Sequence, residues 1–129
     1  MNVARAYTKT QNETASRERL MVLLFEAGLR HMRAGAKALD QKKSAEGVKA
    51  LGKASDIVQE LLATLHHATF PDLCEKLAQV YMFVLGRIDS ALLSLNGKPA
   101  LEAARAFEPI VLGFSEAVAK LERGEAPRP

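Results

Sequence analysis

The residues with chemistry to offer are His31, His66, His67 and Cys74. Neutral imidazoles and a thiolate are metal ligands, and a thiol beside an imidazole can act as a nucleophile with its base. The spacing supports neither use. His66 and His67 are adjacent, so a regular helix cannot aim both at one ion, and no C-x-x-C or H-x-x-x-H pair occurs. Cys74 falls on an apolar stripe with no third group to orient a base, and reads as a small buried thiol. His66 and His67 read as a solvated helix end, where a protonated imidazole offsets the negative terminus. Asp56 and Glu60, at i and i+4, read as solvated carboxylates. Neither a P-loop nor another Gly-rich phosphate cradle is present. The expectation is a chain that is not an enzyme, with no catalytic residue, metal ligand or cofactor site.

Arg30, Arg33 and Lys37 share one face of a predicted first helix. Binding to nucleic acid requires a dense positive field and, for single strands, interleaved aromatic rings. The net charge is only +3, from 18 basic and 15 acidic residues. Bases alternate with acids, as in Arg17-Glu18-Arg19, and aromatics make up 5% of the chain. Nucleic acid is therefore not the expected partner.

The 129 residues suit one domain able to bury a core without disulfides or metals. Apolar content of 48% comes mainly from Leu, Ala, Val and Met, which favours helix-on-helix packing over a sheet. The single cysteine allows no internal disulfide, and no apolar run of membrane-spanning length is evident. A cytoplasmic protein without membrane insertion is expected.

Residues 1–15 read as a flexible polar arm, 16–123 as a helical bundle and 124–129 as a disordered tail. Ser16 is the expected cap of a first helix over 17–40, and Ser44 that of a second over 45–66. Thr69-Phe70-Pro71-Asp72 has the form of a capping box opening a third helix. That helix should stop at Asn96-Gly97, a left-handed C-terminal signal. Pro99 opens a fourth helix to Arg123, which continues through Pro109 with a kink because the apolar pattern persists on both sides. Short breaks between four helices predict an all-α, antiparallel up-and-down four-helix bundle.

The apolar stripes are wider than a bundle core requires. In the fourth helix Phe107, Val111, Phe114, Val118 and Leu121 form one row, and Ala103, Ala106, Ile110, Gly113 and Ala117 a second beside it. The third helix carries Leu73, Leu77, Tyr81, Val84, Ile88, Ala91 and Leu95 next to Cys74, Ala78, Met82, Leu85 and Leu92. In the second, Leu51, Val58, Leu62 and Leu65 are flanked by Ala50, Ala54, Ile57 and Leu61. One stripe of about 100° normally suffices. The doubling has two readings: tight packing through small residues, or an exposed apolar groove for an amphipathic partner helix.

Thr14-Ala15-Ser16-Arg17-Glu18-Arg19-Leu20, followed by Leu23-Leu24-Phe25-Glu26-Ala27-Gly28-Leu29, resembles the start of the first long helix in the flagellar secretion chaperones, the FliS family. Lys53-Ala54-Ser55-Asp56-Ile57-Val58-Gln59-Glu60-Leu61 is similar to that family's second-helix motif. Leu77-Ala78-Gln79-Val80-Tyr81-Met82-Phe83 with Arg87-Ile88 resembles its third-helix motif, and Ala6-Tyr7 its N-terminal arm. The motifs stay in order and register over residues 4–121. Arg17 stands where the family has Pro, Met82 where it has an acid, Leu92 where it has Asn and Phe114 where it has Trp.

The resemblance implies a cytoplasmic chaperone that wraps the disordered C-terminal segment of flagellin, prevents its polymerisation and helps deliver it to the flagellar export gate. It also implies that Tyr7 lies over the cargo groove. The expected cargo-binding set is Tyr7, Ile57, Leu61, Ala78, Met82, Leu85, Leu92, Ile110, Gly113 and Ala117. A related bundle that serves a different secreted or regulatory protein is the alternative. The oligomeric state of the free protein is open, a cargo-free homodimer included.

Overall fold

The computed structural model describes residues 13–124, with side chains from Arg17 onward. Four helices make up the fold: α1 Glu13–Asp40, α2 Ser44–Ala63, α3 Pro71–Ser94 and α4 Gly97–Glu122. Each packs on its sequence neighbour and α4 closes back on α1, so the four form a ring around one core. Ion pairs fix the sense of the α1–α4 pair: Arg19 meets Glu122 and Arg33 meets Glu108. A step forward along α1 is matched by a step back along α4, which is antiparallel packing. The architecture is the all-α four-helix bundle expected from the apolar spacing.

The core follows strict three-four spacing on each helix. Val22, Phe25, Leu29, Met32, Ala36 and Leu39 line the inner face of α1. Leu51, Ala54, Val58 and Leu61 do so on α2, and Cys74, Tyr81, Val84, Ile88 and Ala91 on α3. α4 contributes Ala100, Ala103, Phe107, Val111 and Val118. This periodicity keeps one face turned inward along each helix, as in coiled-coil-like bundles.

Several expected helix ends differ. α1 already includes Glu13, so Ser16 lies inside it rather than capping it. α2 and α3 are preceded by Lys43 and Phe70, neither making a side-chain cap bond, so Ser44 and Thr69 do not cap. Pro71 does open α3, where its missing amide is harmless. α2 stops at Ala63, and His66 and His67 lie in the following turn, not on a helix end. Asn96-Gly97 is a start rather than a stop. Leu95 takes the left-handed conformation that ends α3, while the Asn96 side chain accepts the Lys98 amide at 2.9 Å and caps α4. α4 runs through Pro109 as one helix.

α3 is also long and apolar enough, by length and composition, to cross a membrane, contrary to the sequence reading. Its inner row, Tyr81, Val84, Ile88 and Ala91, is nonetheless core of the bundle.

Candidate functional site

One end of the bundle stays open. There the first half of α1, the end of α2, the start of α3 and the second half of α4 surround an apolar cavity of about 540 Å³. The up-and-down topology makes this convergence necessary, since those four helix ends share one side of the molecule. The seven-residue connection from 64 to 70 runs along the rim and adds Thr64, Leu65, His66 and Phe70 to the lining.

The floor is aromatic. Phe25 packs on Phe114 with ring centroids 4.9 Å apart and on Phe107 at 5.8 Å, and Tyr81 approaches Phe107 at 6.4 Å. These tilted pairs hold the floor rigid through edge and face contacts. Phe107 is fully buried and belongs to the core, whereas Phe114 is only half-buried and faces the opening. Apolar side chains continue to the rim, where Phe70 and Leu73 are exposed.

Polar groups are few. Tyr81 is buried, and that burial, reinforced by Cys74, pushes its phenol up to about 12. The hydroxyl stays protonated at neutral pH. It is thus a donor at the inner wall of an otherwise greasy cavity. Cys74 is buried beside it, as the sequence suggested. Among the described residues no group of three His, Cys, Asp or Glu side chains is arranged to hold a metal. The arrangement lends itself to burying apolar side chains rather than to moving protons.

Leu61, Ile110, Gly113 and Ala117, of the residues singled out from the sequence, come together here. Gly113 and Ala117 are exposed, and Ile110 half-buried, so the later part of the second row of α4 opens into the cavity, while Ala103 and Ala106 pack into the core. The other helical candidates lie elsewhere. Ile57 turns toward α1, 3.2 Å from where a side-chain carbon on Gly28 would sit. Leu85 and Leu92 are half-buried against the core further along α3. Ala78 is half-buried and Met82 is 64% exposed, both outside the cavity lining. The reason is rotational: the row through Tyr81 and Val84 faces the core, so the row through Met82 is turned outward. Tyr7 lies outside the described residues.

The sequence reading missed Met21, Phe25, Phe70 and Tyr81 as cavity residues. Phe70 carried a signal, being a large aromatic in a connection, where burial is not demanded by helix periodicity. Tyr81 carried none beyond its place on a core row.

Apolar side chains on α3 and α4 are not all hidden. Met82, Phe83 and Leu93 are exposed on α3, as are Leu112 and Leu121 on α4. Of the second rows themselves, Met82, Gly113 and Ala117 are exposed, while Ala54, Leu61, Cys74 and Ala103 are buried, so the doubling divides between packing and open surface.

No curated protein matches the chain. The family described as flagellar protein FliS matches residues 1–121, which takes in all of the first three helices and nearly all of α4. The chain therefore belongs to the FliS family of flagellar export chaperones.

Proposed function

We propose that this protein is a cytoplasmic export chaperone that binds the disordered C-terminal segment of flagellin, keeps it from polymerising and aids its delivery to the flagellar export gate. The observation that carries the reading is the open apolar cavity with an aromatic floor at one end of the bundle. Flagellin ends pair through apolar helical faces in the filament, and in the cytoplasm those faces need cover. A segment that folds on binding typically buries ~1,000–3,000 Å², at a cost of ~1–2 kcal/mol per ordered backbone residue. Such a balance favours binding only when the receiving surface is preformed, which a packed bundle supplies.

In this reading Leu61, Ile110, Gly113 and Ala117 receive apolar side chains of the cargo. Ala78, Met82, Leu85 and Leu92 extend the contact along α3, with Ile57 supporting α2 from behind. Tyr7 covers the occupied groove. It lies six residues before Glu13, a span of about 20 Å when extended, and α1 begins at the cavity end.

Calorimetric titration with a peptide of the flagellin C-terminus tests this directly. Saturable heat with one peptide per chain is expected, together with delayed filament growth when the protein is added to flagellin. No heat and no delay would sink the proposal. One observation favours a different secreted cargo: Met82, standing where the family has an acid, presents an apolar group to solvent. A pull-down from native lysate in which flagellin is absent and another exported protein dominates would favour that alternative.

A further inference from the structure

A second concave surface lies on the α1–α4 side of the bundle and shares no lining residue with the cavity. It is a shallow groove of about 650 Å³. Its accessible apolar surface is Leu112 of α4 with Ala34 of α1, laid over Val22, Leu29 and Val111, which are themselves buried in the core. Leu112 is 61% exposed, so an apolar group waits at the lip without a partner. Along the α1 wall stand Arg19, Arg30, Arg33 and Lys37.

The charges are not all answered within the fold. Arg19 pairs with Glu122 and Arg33 with Glu108 across the groove. Arg30 and Lys37 pair with no carboxylate among the described residues. Glu26, the acidic member of the lining, stands between Arg19 and Arg30 in sequence, so the half of the groove holding Arg30, Arg33 and Lys37 is positive. From Arg19 to Lys37 the wall is about 27 Å long at the helical rise, which is the length of a five-turn helix.

We infer that this groove is a second docking surface, taking an acidic amphipathic helix of a protein partner. Its leucine-type face would lie on Leu112 and Ala34, and its carboxylates would meet Arg30 and Lys37. Charge complementarity selects such a helix over other occupants. Nucleic acid fits less well: Arg30 and Lys37 are the lining cations not paired to a described carboxylate, too few to track a continuous phosphate chain, and no aromatic ring in the lining is available for stacking. An anionic bilayer is flat, whereas this surface is concave. The surface leaves the cavity accessible, so a bundle can hold its cargo and a second protein together. The inference does not depend on what fills the cavity.

The test is fluorescence anisotropy on the full chain. The probe is a labelled peptide of about 18 residues with leucines at three-four spacing flanked by glutamates. The same peptide with lysines for glutamates, a thymidine oligonucleotide and vesicles of equal phosphatidylserine and phosphatidylcholine serve as comparisons. Saturable binding of the acidic peptide, weakening as salt rises, is expected. The pair Arg30→Glu with Lys37→Glu should weaken it by about tenfold or more, and Leu112→Ser should also reduce it. Should charge reversal impair folding, Arg30→Gln with Lys37→Gln gives the same direction. The cavity variant Ile110→Asp should bind the acidic peptide unchanged, which separates this surface from the cargo site. Equal binding of the acidic and basic peptides, indifference to the Arg30 and Lys37 changes, or binding of only the oligonucleotide or the vesicles would overturn the inference.

Discussion

Gly35 on α1 and Gly47 on α2 lie against each other's backbone. A side-chain carbon on Gly35 would fall 3.4 Å from the Gly47 carbonyl oxygen, and one on Gly47 would fall 3.3 Å from that of Gly35. Leu51 fills the space over Gly35 and Leu39 the space over Gly47, each within 2.6 Å of the missing carbon. The two glycines let α1 and α2 approach closely and allow both leucines to be buried. Gly35→Ala or Gly47→Ala should therefore cost ~1–3 kcal/mol by overpacking. Gly86→Ala, mid-helix with open space around it, should instead stabilise by ~0.5–1 kcal/mol. Urea denaturation distinguishes the two, and equal effects at Gly35 and Gly86 would refute the close approach.

Lys42 ends α1 in the left-handed conformation, at φ 64°. Its amide bonds to the Leu39 carbonyl and that of Lys43 to the Ala38 carbonyl, which closes the helix as a Schellman motif usually built on glycine. A lysine there pays a steric cost that glycine avoids. Lys42→Gly should raise stability by ~0.5–1 kcal/mol after the added entropy of the unfolded chain. A lower melting temperature would contradict it.

Core and cavity should separate in mutagenesis. Ile88 is fully buried, and Ile88→Ala should cost ~2–5 kcal/mol as a cavity. Ile110→Asp and Tyr7→Ala should weaken flagellin-peptide binding with little change in melting temperature. If Tyr7→Ala lowered stability as much as affinity, Tyr7 would be a structural residue and its proposed covering role would fail.

Stability should fall on mild acidification, in part through His31. Burial first, then the charges of Arg30 and Lys53, holds this imidazole below its ordinary value of 6.5. The unfolded chain thus binds the proton more readily than the folded one. Stability from this group is intact above the unfolded pKa and declines as pH drops from there toward the folded value. Melting curves between about pH 7 and pH 5 should show a shallower decline for His31→Gln than for the parent chain. Parallel declines would remove His31 from the account.

The amphipathic periods determined much of this protein before any packing was known. Three-four spacing through Phe107, Val111 and Val118, or through Leu51, Val58 and Leu61, is a local property, and it specified helices and their inner faces. Short connections then left little choice but antiparallel neighbours. The motifs around Leu23-Leu24-Phe25 and Lys53-Ala54 carried the family as well.

What only the tertiary structure decided were relations between distant residues. Asn96-Gly97 has the chemistry of both a helix stop and a helix start. In the fold Leu95 takes the left-handed stop and Asn96 the cap, and glycine at 97 meets a demand from α1: a side chain there would meet the Ala36 carbonyl and come within 2.7 Å of the Asp40 carboxylate. Periodicity likewise marked two apolar rows on α3 and α4 without saying which neighbour each would meet. That depends on how far each helix is rotated, which the summed burial of all four settles. So Ile110 and Ala117 open into the cavity while Met82 and Leu92 do not, and Phe25, Phe70 and Tyr81 reach the same space from three separate stretches of chain. A cavity made where four helix ends meet has no local signature, because every wall of it comes from a different part of the sequence.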